Sequence, residues 1–153
     1  RLVLVAPDGF ASPGFEYGKA PEVGPMVELM RHVLPRVLVT MSLQPAYADP
    51  AQMTGERATR YHELLRAPGV RDGLIERMRQ LVLRDPVPIL QTIAAPTLLL
   101  WGERDAMVPA ANAQDYLRVM PRARLLLLPA VGHIPQEEGG SAALAAVQGF
   151  LAE

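Results

Sequence analysis

The sequence predicts an α/β fold: a small parallel sheet covered by helices. Three observations carry that expectation. Leu2 to Ala6, Leu98 to Trp101 and Leu125 to Leu128 are continuous apolar runs, without the polar alternation of a half-solvated strand. Each is followed by a turn containing glycine, at Gly9, Gly102 and Gly132. The long stretch between the first two runs has its apolar residues at helical spacing, with prolines and glycines as punctuation.

Taken in order, Leu2 to Ala6 is the first core strand, and Pro7-Asp8-Gly9 turns the chain out of the sheet. Residues 8 to 90 then differ in character. Proline and glycine are dense from Ser12 to Pro25, which marks an irregular excursion. Val27, Met30 and Leu34 follow at helical spacing. Asp49-Pro50 reads as N-cap and first residue of a helix running towards Leu65. Val70, Leu74, Met78 and Leu81 form an apolar stripe opposed by Arg71, Glu76, Arg79 and Arg84, and Pro86 and Pro88 stop that helix. Five of the seven methionines (Met26, Met30, Met41, Met53, Met78) lie in this segment. Methionine fills irregular cores and also lines pockets that adapt to varied ligands. The expected division is a first core strand at 1–7, a helical insertion at 8–90 and a C-terminal core at 91–153. That core begins with a strand at Thr97 to Trp101, continues with a helix from Ala110 to Met120 stopped by Pro121, and returns with the strand Leu125 to Leu128. An alanine-rich helix, Ser141 to Leu151, closes the chain with Ser141 as its N-cap.

In open parallel sheets ligands bind beyond the carboxyl ends of the strands. Asp8, Asp105 and His133 all fall there. An acid and an imidazole at one sheet edge are the orienting and proton-transferring members of a nucleophilic triad. The third member is not evident. Ser12 and Ser42 lack the flanking glycines of a nucleophile elbow. Ser141, in Gly139-Gly140-Ser141, follows Gln136-Glu137-Glu138 rather than a strand. His32 and His62 lie in the insertion as surface or packing residues, and His62-Glu63 has no second histidine at zinc-site spacing, so no metal motif is present.

Trp101-Gly102-Glu103-Arg104-Asp105-Ala106-Met107-Val108-Pro109, followed by Gly132-His133, resembles the C-terminal half of an α/β-hydrolase. In that fold the chain order is nucleophile, acid, histidine. The resemblance implies a partial α/β-hydrolase fold of three parallel strands, flanking helices and a helical cap inserted after the first strand. It makes His133 the general base and Asp105 the acid, with a serine or aspartate nucleophile upstream of residue 1. Asp8 becomes a substrate contact or, as in dehalogenase-like members, an alternative acid. Val108 and Ile134, beside the acid and the histidine, are further expected substrate contacts. The activity implied is hydrolysis of small apolar esters or of C–C bonds next to a carbonyl. The alternatives are a haloalkane dehalogenase or epoxide hydrolase with an aspartate nucleophile, and a non-catalytic chain that binds an apolar ligand or partner. No cofactor is implied. The expected partners are a small apolar substrate and an N-terminal half of the same fold. The chain opens on Arg1 directly in a strand, which suggests truncation and predicts that Leu2 to Ala6 forms an open sheet edge.

Composition limits the remaining classes. A chain of 153 residues, half of them hydrophobic, supports one ordinary core. The net charge of −1, without a basic block, argues against nucleic acid. The absence of cysteine excludes disulfides and thiolate chemistry and suits a reducing compartment such as the cytoplasm. No apolar run approaches the ~18 residues of a membrane span.

Overall fold

The computed structural model describes residues 1–11 and 16–153; Ser12 lies outside them. Strands β1 (Leu2–Val5), β2 (Thr97–Gly102) and β3 (Ala123–Leu128) form a parallel sheet in the order β1-β2-β3. Leu2 stands beside Thr97, and Thr97 beside Ala123. The pairing of β1 runs one residue further, where the Ala6 amide donates to the Leu100 carbonyl at 2.9 Å.

Only β2 is buried along its whole length, and it fully meets the expectation of a strand covered on both faces. Successive side chains alternate between the two faces. Leu99 and Trp101 pack with Ala113, Tyr116 and Met120 of the following helical segment. Leu100 packs with Leu128, Val131 and Ala143 on the other face. The first layer is α6 (Ala113–Val119), entered through a 3-10 turn at Ala110–Asn112; the second is α8 (Gly140–Ala152). The edge strands β1 and β3 are covered less completely, and Leu127 is exposed.

Between β1 and β2 lie α1 (Pro25–Leu29), α2 (Arg36–Leu43), α3 (Gly55–Arg66), α4 (Val70–Gln80) and the short α5 (Val87–Leu90). Val27, Met30 and Leu34 meet Leu74, Ile75 and Met78 around an apolar cavity of about 180 Å³. Arg31 ties Glu28 to Asp72 and Glu76, and Arg79 joins Glu28 to Glu76, so ion pairs lace the first helical turn to α4. His62 Nε2 donates to the Leu34 carbonyl at 2.7 Å, and His32 is exposed.

Three local expectations are corrected. Asp49 accepts from the Ala51 amide but starts only a 3-10 turn, Pro50–Gln52; Thr54 caps α3 by accepting from the Arg57 amide. An Asp-Pro pair can turn the chain once without committing it to a helix, and Met53, at ψ 73°, breaks the continuation. The predicted stripe on α4 is largely solvated: Val70, Leu74 and Leu81 are exposed, and Ile75 is the buried residue of that helix. Ser141 is not a cap. The preceding α7 (Pro135–Glu138) runs almost directly into α8, the cap position belongs to Gly139, and Gly140 takes the turn at φ 49°. No helix among the described residues is long and apolar enough to cross a membrane.

The sheet ends at β1 as expected, with no charge or proline in the strand to guard its outer edge. Beside it Val3, Val5, Leu100, Ala143, Leu144 and Val147 line an apolar hollow of about 310 Å³. This edge should drive association of the chain at rising concentration. Val5→Lys, which places a charge on the exposed end of β1, should shift size-exclusion elution towards the monomer. A wild-type chain that elutes as a monomer at every concentration would contradict the open-edge account.

Candidate active site

The site is built by two loops that leave the carboxyl ends of β2 and β3 and lie backbone against backbone. The Glu103 amide donates to the Leu128 carbonyl at 3.0 Å, and the Arg104 amide to the Val131 carbonyl at 2.9 Å. Gly102 makes this approach possible: a Cβ there would collide with the carbonyl oxygens of Val131 and Gly132. A side chain of any size would push the histidine loop off the acid loop.

Asp105 follows that contact. Its Oδ1 accepts from the amides of Met107 at 2.9 Å and Val108 at 2.8 Å, and its Oδ2 lies 2.9 Å from His133 Nδ1. The loop is pinned from beneath by the Trp101 indole, which donates to the Val108 carbonyl at 3.0 Å. The Asp105 side chain is fully buried, whereas that of His133 is 27% exposed. The hydrogen bond from Asp105 raises the His133 pKa above its ordinary value; partial burial opposes the rise, and the charges of Asp105 and Asp8 add to it.

The Pro7-Asp8-Gly9 turn reaches the same region. The Tyr116 hydroxyl donates to the Pro7 carbonyl at 3.0 Å and accepts from the Gly9 amide at 2.6 Å, which fixes the turn after β1. Asp8 is exposed and acts on His133 through its charge, while the hydrogen bond goes to Asp105. Val108 and Ile134 sit in separate apolar clusters, 5% and 9% exposed, so as placed they offer little surface to a ligand. Ser42 donates to the Val39 carbonyl within α2. Among the described residues no group of three or more His, Asp or Glu side chains could hold a metal ion.

Sequence reasoning passed over Glu137 and Glu138. Glu137 accepts from the hydroxyls of Tyr47 at 2.7 Å and Tyr61 at 2.6 Å, with Arg57 3.8 Å away. Burial and the bonds to Glu137 raise both phenol pKa values; these hydroxyls and the nearby arginines hold the Glu137 carboxyl below its usual range despite its partial burial. Glu138 accepts from the Ala48 and Gly132 amides. The one available signal was two acids directly after a histidine loop, which gives no hint of partners far away in the chain.

Chemically, an Nδ1–H held by a buried carboxylate leaves Nε2 with the lone pair, able to take a proton from a hydroxyl or a water. Two measurements check the arrangement. Gly102→Ala should destabilise the chain by about 1–3 kcal/mol in urea unfolding, because the added carbon overpacks two backbones. The second concerns pH. The folded pKa of His133 is raised, so its contribution to stability is fully present below the unfolded value of about 6.5 and is lost as pH rises through the folded value. Urea midpoints of the wild type should therefore fall as pH rises from the unfolded value through the raised folded one, and Asp105→Asn should flatten that slope. Equal slopes in the two proteins would show that the pair does not form.

The model of the Alpha/beta hydrolase family matches residues 1–147. RutD of Pseudomonas savastanoi pv. phaseolicola, a protein named for carbamate hydrolysis, is 35% identical over 86 residues, covering 56% of this chain and 32% of that protein. The pimeloyl-[acyl-carrier protein] methyl ester esterase of Nitrosomonas europaea is 41% identical over 46 residues, covering 30% of this chain and 18% of the esterase. The chain thus spans a third or less of these relatives. Among solved structures, the meta-cleavage product hydrolase of Pseudomonas fluorescens superposes with a TM-score of 0.73 at 19% identity, over 99% of this chain and 56% of the hydrolase. The 2-hydroxy-6-oxo-6-phenylhexa-2,4-dienoate hydrolase of a Rhodococcus strain gives 0.69 at 18% identity, over 99% and 54%. At such identities these superpositions establish the fold. With its family model matched almost end to end, the chain belongs to the alpha/beta hydrolase family.

Proposed function

We propose that this chain carries the acid and the base of a hydrolase triad whose nucleophile lies outside residues 1–153. The observation that carries the reading is the 2.9 Å contact between Asp105 Oδ2 and His133 Nδ1, with Oδ1 of the same carboxylate held by two amides. A buried carboxylate so fixed orients the imidazole and stabilises the imidazolium that forms when Nε2 takes a proton. His133 would receive the proton of a nucleophilic hydroxyl, or of water, and return it to the leaving group. Asp8, whose charge is felt at His133, would contact substrate at the mouth of the site.

Small apolar esters, or C–C bonds next to a carbonyl, are the substrates we favour. Exposed apolar side chains on the helical segment, Met26, Leu29, Val37 and Met41 among them, would suit an apolar substrate. The names of two of the proteins above agree with this choice, a methyl ester esterase and a meta-cleavage product hydrolase, while that of RutD points to carbamates. The second reading is a non-catalytic hydrolase-like chain that binds an apolar ligand or partner, which the same exposed apolar side chains would suit.

The chain by itself should show no esterase turnover above a His133→Ala control. Joined to an upstream half that carries a nucleophile, it should turn over p-nitrophenyl esters, and Asp105→Asn should lower kcat by up to ~10⁴ without unfolding the protein. Undiminished kcat in Asp105→Asn would remove Asp105 as the acid. No turnover in any reconstituted form would favour the binding reading.

A further inference from the structure

Glu138 lies at the end of α7, five residues beyond His133, and its carboxylate joins two segments distant in sequence. Oε2 accepts from the Gly132 amide at 2.6 Å and Oε1 from the Ala48 amide at 2.9 Å. A third bond closes the figure, since the His133 amide donates to the Ala46 carbonyl at 2.7 Å. A Cβ at Gly132 would stand 2.6 Å from both the Ala46 carbonyl oxygen and the Ala48 amide nitrogen, and 2.8 Å from Glu138 Oε2. The peptide that carries His133 is therefore clasped between segment 46–48 and one carboxylate, with no space for a side chain.

The neighbouring acid anchors the same segment from its other side. Glu137 accepts from the Tyr47 hydroxyl and from Tyr61 on α3, so residues 46–48 are held to the histidine loop and to the cap helices together. Two adjacent carboxylates thus have separate tasks: Glu137 grips the cap, and Glu138 grips the backbone that bears the imidazole. Bonds to an ionised acceptor are about twice as strong as neutral ones, and both amides served by Glu138 are backbone groups with fixed directions.

We propose that Glu138 is a positioning residue for His133, and that through it cap segment 46–48 sets where the imidazole stands relative to Asp105. The inference rests on the reading of His133 as the base. Withdrawal of residues 46–48 from the loop removes the acceptor of the His133 amide and one of the two donors to Glu138. The base then keeps Asp105, the Gly132–Glu138 bond and the Arg104–Val131 bond between the loops. Cap position and base position are coupled by this route.

Glu138→Gln tests it. The amide keeps the shape but has one acceptor oxygen, so it can serve only one of the two N–H groups. The readout is the imidazole of His133, which faces the charges of Asp105 and Asp8, followed by NMR titration in the full chain. In Glu138→Gln the His133 titration should move part of the way from the wild-type curve towards that of Asp105→Asn, and the downfield Nδ1 proton should broaden or vanish. The amides of Gly132 or Ala48 should exchange at least about tenfold faster, as loss of a hydrogen bond to a charged acceptor implies. Amides of β2 should keep their protection. An unchanged His133 titration with faster amide exchange would mean that Glu138 only glues the loop, and would overturn the inference while leaving the triad reading intact. Identical titrations in wild type and Asp105→Asn would remove the triad reading and this inference with it. The wild type provides an arm that needs no variant to fold: Gly132, His133 and Ala48 amides should exchange slowly and as one group. Exchange of Ala48 at the rate of an exposed loop amide overturns the inference.

Discussion

The rest of the site depends on the closeness of two backbones at Gly102. The acid and the histidine are far apart in sequence, each on a loop with its own reasons to wander. They meet because the chain leaving β2 lies directly on the chain leaving β3, with room for hydrogen and nothing larger at the Gly102 α-carbon. The parallel register brings the ends of the two strands level, so Gly102 pairs with Leu128 and both loops start from the same edge. Two amide–carbonyl bonds then zip them together beyond the sheet. Each is worth on the order of 1 kcal/mol net, but their geometric effect is larger, because they bring the loops of Asp105 and His133 within hydrogen-bond reach of each other.

Burial explains the division of labour inside the pair. An ionised carboxylate is costly to bury unless its lone pairs are occupied. Asp105 meets that demand with two amides on one oxygen and the imidazole on the other. Its orientation is therefore set by backbone, and the imidazole is the partner that adapts. His133, partly open to solvent, can exchange protons, and its neighbours favour the charged form that proton abstraction creates. The same holds for Glu137, which accepts from the hydroxyls of Tyr47 and Tyr61, and for Glu138, which accepts from the amides of Ala48 and Gly132.

Much of this was legible in the sequence, for identifiable reasons. The three apolar runs became the three strands, since continuous apolar residues between glycine turns have few other uses in a chain of this composition. The pairing of Asp105 with His133 was legible because each lies in the turn after such a run, in motifs that resemble the family's in order. The helical segment was legible as helical but not in detail. Asp49 looked like the start of a long helix, yet one turn satisfies its side chain and Thr54 performs the capping. Ser141 looked like a cap because serine is a favoured N-cap and an alanine-rich helix follows it; here α7 arrives so close to α8 that Gly139 and Gly140 make the junction. The role of Glu138 was invisible. Its partner Ala48 lies 90 residues away, and a carboxylate bonded to backbone amides leaves no pattern in the side chains it serves.

The central claim is that Asp105 holds His133 as a base with its free lone pair on Nε2. Nitrogen-15 chemical shifts of the His133 ring, read above its raised pKa, test that claim most directly. The account predicts a neutral ring protonated at Nδ1 and bare at Nε2, with Asp105→Asn shifting the ring towards the opposite tautomer or a mixture. A wild-type ring protonated at Nε2, or shifts that Asp105→Asn leaves unchanged, would contradict it.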